Sequence, residues 1–234
     1  MSELKLLKAI WEIRYPPAAS LFDNRGRIAR RWYLRDGFEH WSIGRNHVKL
    51  YSKDESLSFF ADYRRMVFDA EGWNLSEFCI SAAKVTSWVT RLLRIRSFER
   101  IGFRVYQITE CNSFETIQKK MTRRLFALDE TDWEVFGGEP LDIAFPLTLT
   151  FGDHKANFKM GPMRNDQYEN LLQSLNIKEN LPKASFFIDF DLYQEKPTFK
   201  SRDIKKEYFA HLQDSGKLMQ QVSNNILAHF GGFK

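Results

Sequence analysis

Cysteine and long apolar runs are scarce in this chain. Its two cysteines, Cys79 and Cys111, are too far apart in sequence to form the closely spaced pair of a zinc motif. No apolar stretch approaches the roughly 20 residues of a membrane-spanning helix, and no apolar export segment stands at the N-terminus. We therefore expect a soluble, cytoplasmic protein that has reduced thiols and no membrane partner.

The common catalytic patterns are missing as well. A nucleophilic enzyme needs a Ser or Cys beside a His that a third group orients, and no such signature is present. The five histidines include no pair at helical spacing with a nearby carboxylate, which argues against zinc. Gly137-Gly138 and Gly231-Gly232 do not lead from a strand into a helix, as a phosphate loop must. We predict a protein that is not an enzyme and uses no cofactor.

Aromatic residues and an uneven charge are what the chain has in abundance. It holds 21 Phe, 8 Tyr and 6 Trp in 234 residues, enough to build a large core without a metal or a disulfide. Residues 1–104 carry 19 Lys/Arg against 12 Asp/Glu, and residues 105–234 carry 16 against 18. The first half is therefore basic, which permits contact with nucleic acid or with an acidic protein.

Short blocks of sequence recur in the same order. Residues 58–63, SFFADY, return as residues 185–190, SFFIDF. Phe103 and Val105 stand 92 positions after Trp11 and Ile13, and residues 120–125 repeat the pattern of residues 27–32. Several blocks in one order favour an internal duplication.

The duplication organises the predicted elements into two β-α-β-β-β-α units, residues 1–97 and 98–234. The second unit has insertions at 127–140 and 163–183, and the two units are compatible with one pseudo-symmetric domain. Within the first unit we predict one strand around Ser58 to Phe68 and a long helix capped by Asn74. In the second, Asn112 is expected to start a helix. The apolar positions of the final helix, over 201–230, change register near Ser215-Gly216. The fold class is α+β, with mainly antiparallel sheets and helices on one face.

Arginine is concentrated in the first unit and supplies a candidate nucleic-acid interface. Its guanidinium group binds phosphate through paired hydrogen bonds. Many of these side chains are alternatively paired with Asp23, Asp36, Asp62 or Glu99. The candidate residues are Arg27, Arg30, Arg31, Arg35, Arg64, Arg65, Arg94 and Arg96.

Two carboxylates on one predicted strand form a weak metal candidate. Asp189 and Asp191 share a strand face, and Asp62 comes from the matching strand of the first unit. Such clusters hold Mg²⁺ in nucleases. The same alternation with Phe186, Ile188 and Phe190 is also typical of an ordinary solvent-exposed face, so we predict no metal site and keep a nuclease as the third interpretation.

Several strands resemble those of one bacterial family. Residues 98–106, FERIGFRVY, are similar to the arginine-glycine-aromatic strand of a sporadically distributed bacterial family of about 250 residues. Residues 12–16, residues 189–193 and the last helix, which ends at Phe230, also fit. The resemblance spans nearly the whole chain. That family has no established activity, so the resemblance implies a bacterial or phage origin, and its patchy distribution is similar to that of defence islands.

These observations together favour a non-catalytic binding or scaffold subunit of a prokaryotic multi-component system, which the resemblance relates to antiviral defence. A protein partner is expected on the sheet or in the groove between the repeats. The alternative is a DNA- or RNA-binding protein that uses the basic first repeat. A homodimer is compatible with either interpretation.

Overall fold

A single antiparallel sheet of nine strands joins both halves of the chain, in the order β2-β3-β4-β5-β1-β6-β9-β8-β7. The computed structural model describes residues 4–126, 141–164, 166–167, 170–171, 181–199 and 202–231. The strands are β1 (Lys5–Arg14), β2 (His40–Ile43), β3 (His47–Tyr51), β4 (Leu57–Asp62), β5 (Arg65–Glu71), β6 (Arg100–Glu110), β7 (Phe145–Phe151), β8 (His154–Arg164) and β9 (Ala184–Glu195). The helices are α1 (Ser20–Trp32), α2 (Leu75–Leu92), α3 (Phe114–Met121, followed by a π-helical turn over Thr122–Phe126) and α4 (Ile204–His229).

The four helices named here pack on one face of the sheet, over its aromatic core. Trp11 of β1 is fully buried there, and its indole N–H donates to the Thr86 hydroxyl of α2 over 3.3 Å. Its ring also meets Tyr208 and His211 of α4, at centroid distances of 5.9 and 5.5 Å. Alternate residues of the central strands are buried under these helices, because successive side chains of a strand point to opposite faces.

The predicted α+β class with helices on one face is confirmed. The Asn74 cap is also confirmed, since its side-chain oxygen accepts the Glu77 N–H over 2.9 Å. The start of α3 is one residue later than predicted, because the Ser113 hydroxyl accepts the Thr116 N–H. In α4 the slip in the pattern marks a close approach, where a Cβ on Gly216 would stand 2.8 Å from Leu75 of α2.

One predicted strand is wrong. The segment from Ser58 to Phe68 forms a hairpin of β4 and β5. Asp62 reverses the chain because its carboxylate accepts the N–H groups of Arg64 and Arg65, over 2.7 and 2.9 Å. The first half therefore has five strands where four were expected.

The strand order bears on the predicted duplication without establishing it. β1 and β6, the first strands of the two proposed repeats, pair at the centre, and Trp11 lies opposite its proposed counterpart Phe103. The matching 58–63 and 185–190 segments are not equivalent, however, since β9 pairs with β6 whereas β4 is separated from β1 by β5. The duplication and the boundary at residue 97 stay predictions. The proposed insertion at 127–140, and most of that at 163–183, lie outside the described residues.

No helix in the described ranges has both the length and the apolar character needed to cross a membrane.

The burial of His211 makes stability depend on pH. His211 lies between Trp11 and His154, with ring centroids 5.5 and 5.2 Å away, and burial followed by the nearby His154 lowers its pKa from 6.5 to about 4. Between those values the unfolded chain binds a proton that the folded chain does not, so the free energy of unfolding falls by up to about 3 kcal/mol as the pH drops. In His211→Leu, the free energy of unfolding measured by urea denaturation should no longer show this dependence on pH. His229→Leu, at an exposed position on the same helix, serves as the control, and an unchanged slope in His211→Leu would contradict the assignment.

Candidate functional site

The face of the sheet opposite the helices carries charged side chains on its four central strands. These side chains point away from the core and are linked by ion pairs across the strands. We call this surface the open face and define its centre by Glu12 and Arg14 of β1, Arg65 of β5, Arg100 and Arg104 of β6, and Asp189 and Asp191 of β9.

Strand β6 supplies the arginines because Arg100, Gly102 and Arg104 alternate onto the open face. Arg100 donates to Glu12 over 3.2 Å and to Asp191 over 2.7 Å, which ties β1 to β9 through β6. Its guanidinium lies 4.3 Å from the centre of the Tyr193 ring. A Cβ on Gly102 would touch Tyr193, Asp191 and Arg100 at 3.4 to 3.6 Å. The absence of a side chain at Gly102 therefore leaves room for the Arg100 side chain to lie across the sheet.

Arg104 makes a second, bidentate pair with Asp189. The two nitrogen-to-oxygen distances are 2.7 and 2.6 Å, the fork geometry that holds a guanidinium and a carboxylate most firmly. These hydrogen bonds raise the pKa of Arg104 further above its usual value. The same guanidinium covers the buried Tyr106 ring at 4.8 Å. The pair is therefore fixed in place on the sheet.

Three arginines stand side by side across neighbouring strands. Arg14 is the direct cross-strand partner of both Arg65 and Arg100. Like charges opposite one another destabilise a sheet. Glu12 offsets the repulsion, because it accepts hydrogen bonds from Arg14 over 2.7 Å and from Arg100 over 3.2 Å and forms an ion pair with Arg65 at 3.7 Å. Arg14 and Arg65 still leave 46% and 49% of their side chains exposed, so this arginine row offers guanidinium groups to an acidic group from outside.

A concavity of about 350 Å³ opens on the same face beside Arg104. Its polar lining comes from β6, β7, β8 and β9 and consists of Arg104, Thr148, Asn157, Lys159, Asp189 and Asp191. Donors and acceptors are mixed there, which suits a polar side chain of either sign better than an extended polyanion.

The arginines predicted as a nucleic-acid interface lie on two different surfaces of the structure. Arg65 belongs to the open face, and Arg64 sits in the adjoining β4–β5 turn. The other six are exposed on the helical layer, on α1 or in the segments that follow α1 and α2, and none of them forms an ion pair within the described part of the chain: Arg27, Arg30, Arg31, Arg35, Arg94 and Arg96. Of the carboxylates expected to pair with these arginines, Asp62 forms an ion pair with Arg65, whereas Asp36 pairs with Lys84.

The weak metal candidate is not assembled. Asp189 and Asp191 share the open face of β9, but each is engaged by an arginine. Asp62 lies on β4, four strand positions from β9 and thus about 19 Å away, where it caps the β4–β5 turn. Among the described residues, no three His, Cys, Asp or Glu side chains are grouped so that they could hold a metal ion.

Both cysteines are buried and poor nucleophiles. Burial raises the pKa of Cys79 to about 11 and that of Cys111 to about 12, and only the thiolate is reactive. The Cys111 thiol donates to the Thr109 carbonyl over 3.3 Å.

Sequence reasoning missed most of the open face. Among the open-face residues, Glu12, Arg14 and Arg104 are not predicted as site residues, and Arg100 is expected only as one of the basic residues of the first half. The alternation of Arg100, Gly102 and Arg104 is the signal that places polar groups on one face of a central strand. Comparison of the chain with protein-family models and with curated proteins finds no match, so these contacts carry the functional argument.

Removing Arg100 should destabilise the fold measurably. Arg100→Ala leaves Asp191 without its ion-pair partner and leaves Glu12 to the more exposed Arg14 and Arg65, so we expect the free energy of unfolding to fall by about 2 kcal/mol. Chemical denaturation measures this loss, and a double-mutant cycle with Asp191→Ala isolates the coupling between the two side chains. Arg30→Ala, on the exposed side of α1, should stay within about 0.5 kcal/mol of the wild type. Equal losses of unfolding free energy in Arg100→Ala and Arg30→Ala would show that the cross-strand pairs do not stabilise the fold.

Proposed function

We propose that this chain is a non-catalytic binding or scaffold subunit that docks a protein partner on its open face. The observation that carries the proposal is the array of arginine–carboxylate pairs held across β5, β1, β6 and β9 on the face opposite the helices. A folded protein rarely sets three arginines abreast on a sheet without a role for them, because the arrangement weakens strand pairing.

The mixture of charges favours a protein over a nucleic acid at this face. Glu12, Asp189 and Asp191 neutralise much of the arginine charge, whereas a phosphate backbone requires an uncompensated basic surface. A protein surface can present carboxylates to the arginine row and a donor or acceptor to the concavity beside Arg104. Complementary charges of both signs also set the register of a docked partner.

The chemistry of the side chains supports the same choice. Arginine and tyrosine are enriched in the central residues of protein interfaces, where they bury large area with little loss of conformational freedom. Arg100 stacked on Tyr193 already has one fixed arrangement, so less side-chain entropy is lost when a partner binds.

The resemblance to the sporadically distributed bacterial family extends the proposal. It suggests that the partner belongs to the same multi-component prokaryotic system, which its patchy occurrence relates to defence. In this chain the glycine of that strand, Gly102, lies where the Arg100 side chain crosses the sheet.

Affinity capture from the native host tests the proposal with matched charge reversals. Arg14→Glu lies in the arginine row, and Arg30→Glu/Arg31→Glu lies on the helical layer. We expect a stoichiometric protein partner with the wild type that survives nuclease treatment, is reduced at least about tenfold by Arg14→Glu, and is retained by the helical variant. Loss of the partner in the helical variant alone would refute docking on the open face.

A nucleic-acid-binding function is the second candidate, and one observation favours it. The six exposed arginines on the helical layer have no carboxylate partner among the described residues, so their charge is available to phosphate. This surface lies on the side of the sheet opposite the proposed protein site.

Salt dependence separates the two candidates. Phosphate contacts release counterions, so binding of a labelled oligonucleotide through the helical layer should weaken steeply between 50 and 200 mM salt, by about a thousandfold for six contacts. Arg30→Glu/Arg31→Glu should reduce the slope, whereas Arg14→Glu should leave it unchanged. Fluorescence anisotropy measures the salt dependence of binding for both variants. Salt-independent binding, or none in the wild type, would remove the second candidate.

A further inference from the structure

Strand β2 ends the sheet without the devices that usually protect an edge. Edge strands of soluble proteins commonly carry a lysine, a proline or a bulge that prevents pairing with another chain. Residues 40–43, HWSI, contain no lysine, no proline and no formally charged residue. The opposite edge strand, β7, contains Pro146. The two edges of the sheet therefore differ in how open they are to another strand.

Large apolar side chains are exposed around this edge. Trp41 and Ile43 of β2 leave 48% and 40% of their surface accessible, and Tyr33 and Leu34, in the segment that leads into β2, leave 42% and 70%. These four lie within eleven consecutive residues, although exposed large hydrophobic residues are otherwise scattered over the described chain. Leu34 also has a φ of 56°, which a leucine rarely adopts. An exposed apolar cluster of this kind marks an interaction surface.

The hydrogen bonds of the β2–β3 hairpin determine which backbone groups face outward. The Gly44 N–H donates to the His47 carbonyl, and Ser42 lies opposite Lys49. Because bonded and non-bonded pairs alternate in an antiparallel ladder, Ser42 and Gly44 point their backbone groups toward β3. Trp41 and Ile43 point theirs away from the sheet.

A second copy of the same strand fits this edge in one favoured register. Antiparallel pairing about Ser42 sets Trp41 opposite Ile43 of the second copy, and Ile43 opposite its Trp41, so four backbone hydrogen bonds form between outward-facing groups. The exposed Trp and Ile side chains then pack in pairs on the helical side of the sheet. In this register Glu39, which directly precedes β2, and Arg45 of the second copy, which lies in its β2–β3 turn, come to the same end of the interface, twice in the symmetric pair, and both residues are exposed.

We propose that the chain forms a homodimer through antiparallel pairing of β2 with β2 of a second copy, which joins the two sheets into one of eighteen strands. The unprotected edge, the apolar residues beside it and the complementary Glu39 and Arg45 all point to this occupant. The dimer interface is distinct from the open-face centre, so either proposal can fail without the other.

Charge reversal tests both the interface and its register. Sedimentation equilibrium should find a wild-type dimer that Glu39→Arg and Arg45→Glu each weaken by about tenfold, since each replaces two attractive pairs by two repulsive ones. An equimolar mixture of the two variants should form a heterodimer of nearly wild-type affinity, and the double variant should dimerise again. Circular dichroism of each variant checks folding, because Glu39 also accepts the Lys53 N–H within its own chain.

A backbone variant provides an independent measurement. Ile43→Pro removes an outward N–H and leaves the bonds to β3 in place, so it should abolish the dimer while the monomer stays folded. Ile43→Val is the matched control and should dimerise. A wild type that is monomeric at every concentration would overturn the proposal and leave the edge to a strand of a different protein. A dimer unaffected by the charge reversals and by Ile43→Pro would overturn it equally.

Discussion

The antiparallel pairing of β1 with β6 organises this molecule, because it joins the two halves of the chain and determines what lies on both faces of the sheet. On one face it sets Trp11 opposite Phe103, the aromatic pair around which α2 and α4 pack. On the other it sets Arg14 opposite Arg100 and Glu12 opposite Gly102. A shift of one residue in this register would exchange the two faces and bury the charges.

The open face shows how such a register is tolerated despite its like charges. Arg14 and Arg100 repel one another, and Glu12 and Asp191 lie on either side to compensate. The compensation is local and partly buried, whereas the outer parts of Arg14 and Arg65 remain in solvent. The same residues thus contribute to cohesion of the sheet and to a surface that a partner can contact.

Local patterns in the sequence predicted much of the fold. The Asn74 cap of α2 and the slip in the apolar pattern near Gly216 of α4 are short-range features, and both correspond to observed ones. The hairpin of β4 and β5 is not predicted, because an aspartate cap at Asp62, without a Gly or Pro, makes the turn.

The candidate site was harder to predict because it depends on which strands are neighbours. Arg14, Arg65 and Arg100 are distant in sequence, and their adjacency follows from two strand pairings that no local pattern encodes. The supposed metal cluster failed for the same reason, since similar segments around Asp62 and Asp189 occupy different places in the sheet. Charge counting alone would have assigned these arginines to a single basic surface.

The irregularity in the β1–β6 pairing between Leu6 and Lys8 has a consequence for the shape of the open face. It turns Leu7 to the same side as Lys8, where Leu7 joins Tyr106, Ile108 and Phe187 in a small second core. The open face is therefore polar and exposed at the Arg14 end of β1, whereas at the other end the sheet is buried beneath Met163, Leu171 and Leu181. A molecule lying along the strands would contact the sheet itself at the Arg14 end and these covering side chains at the other.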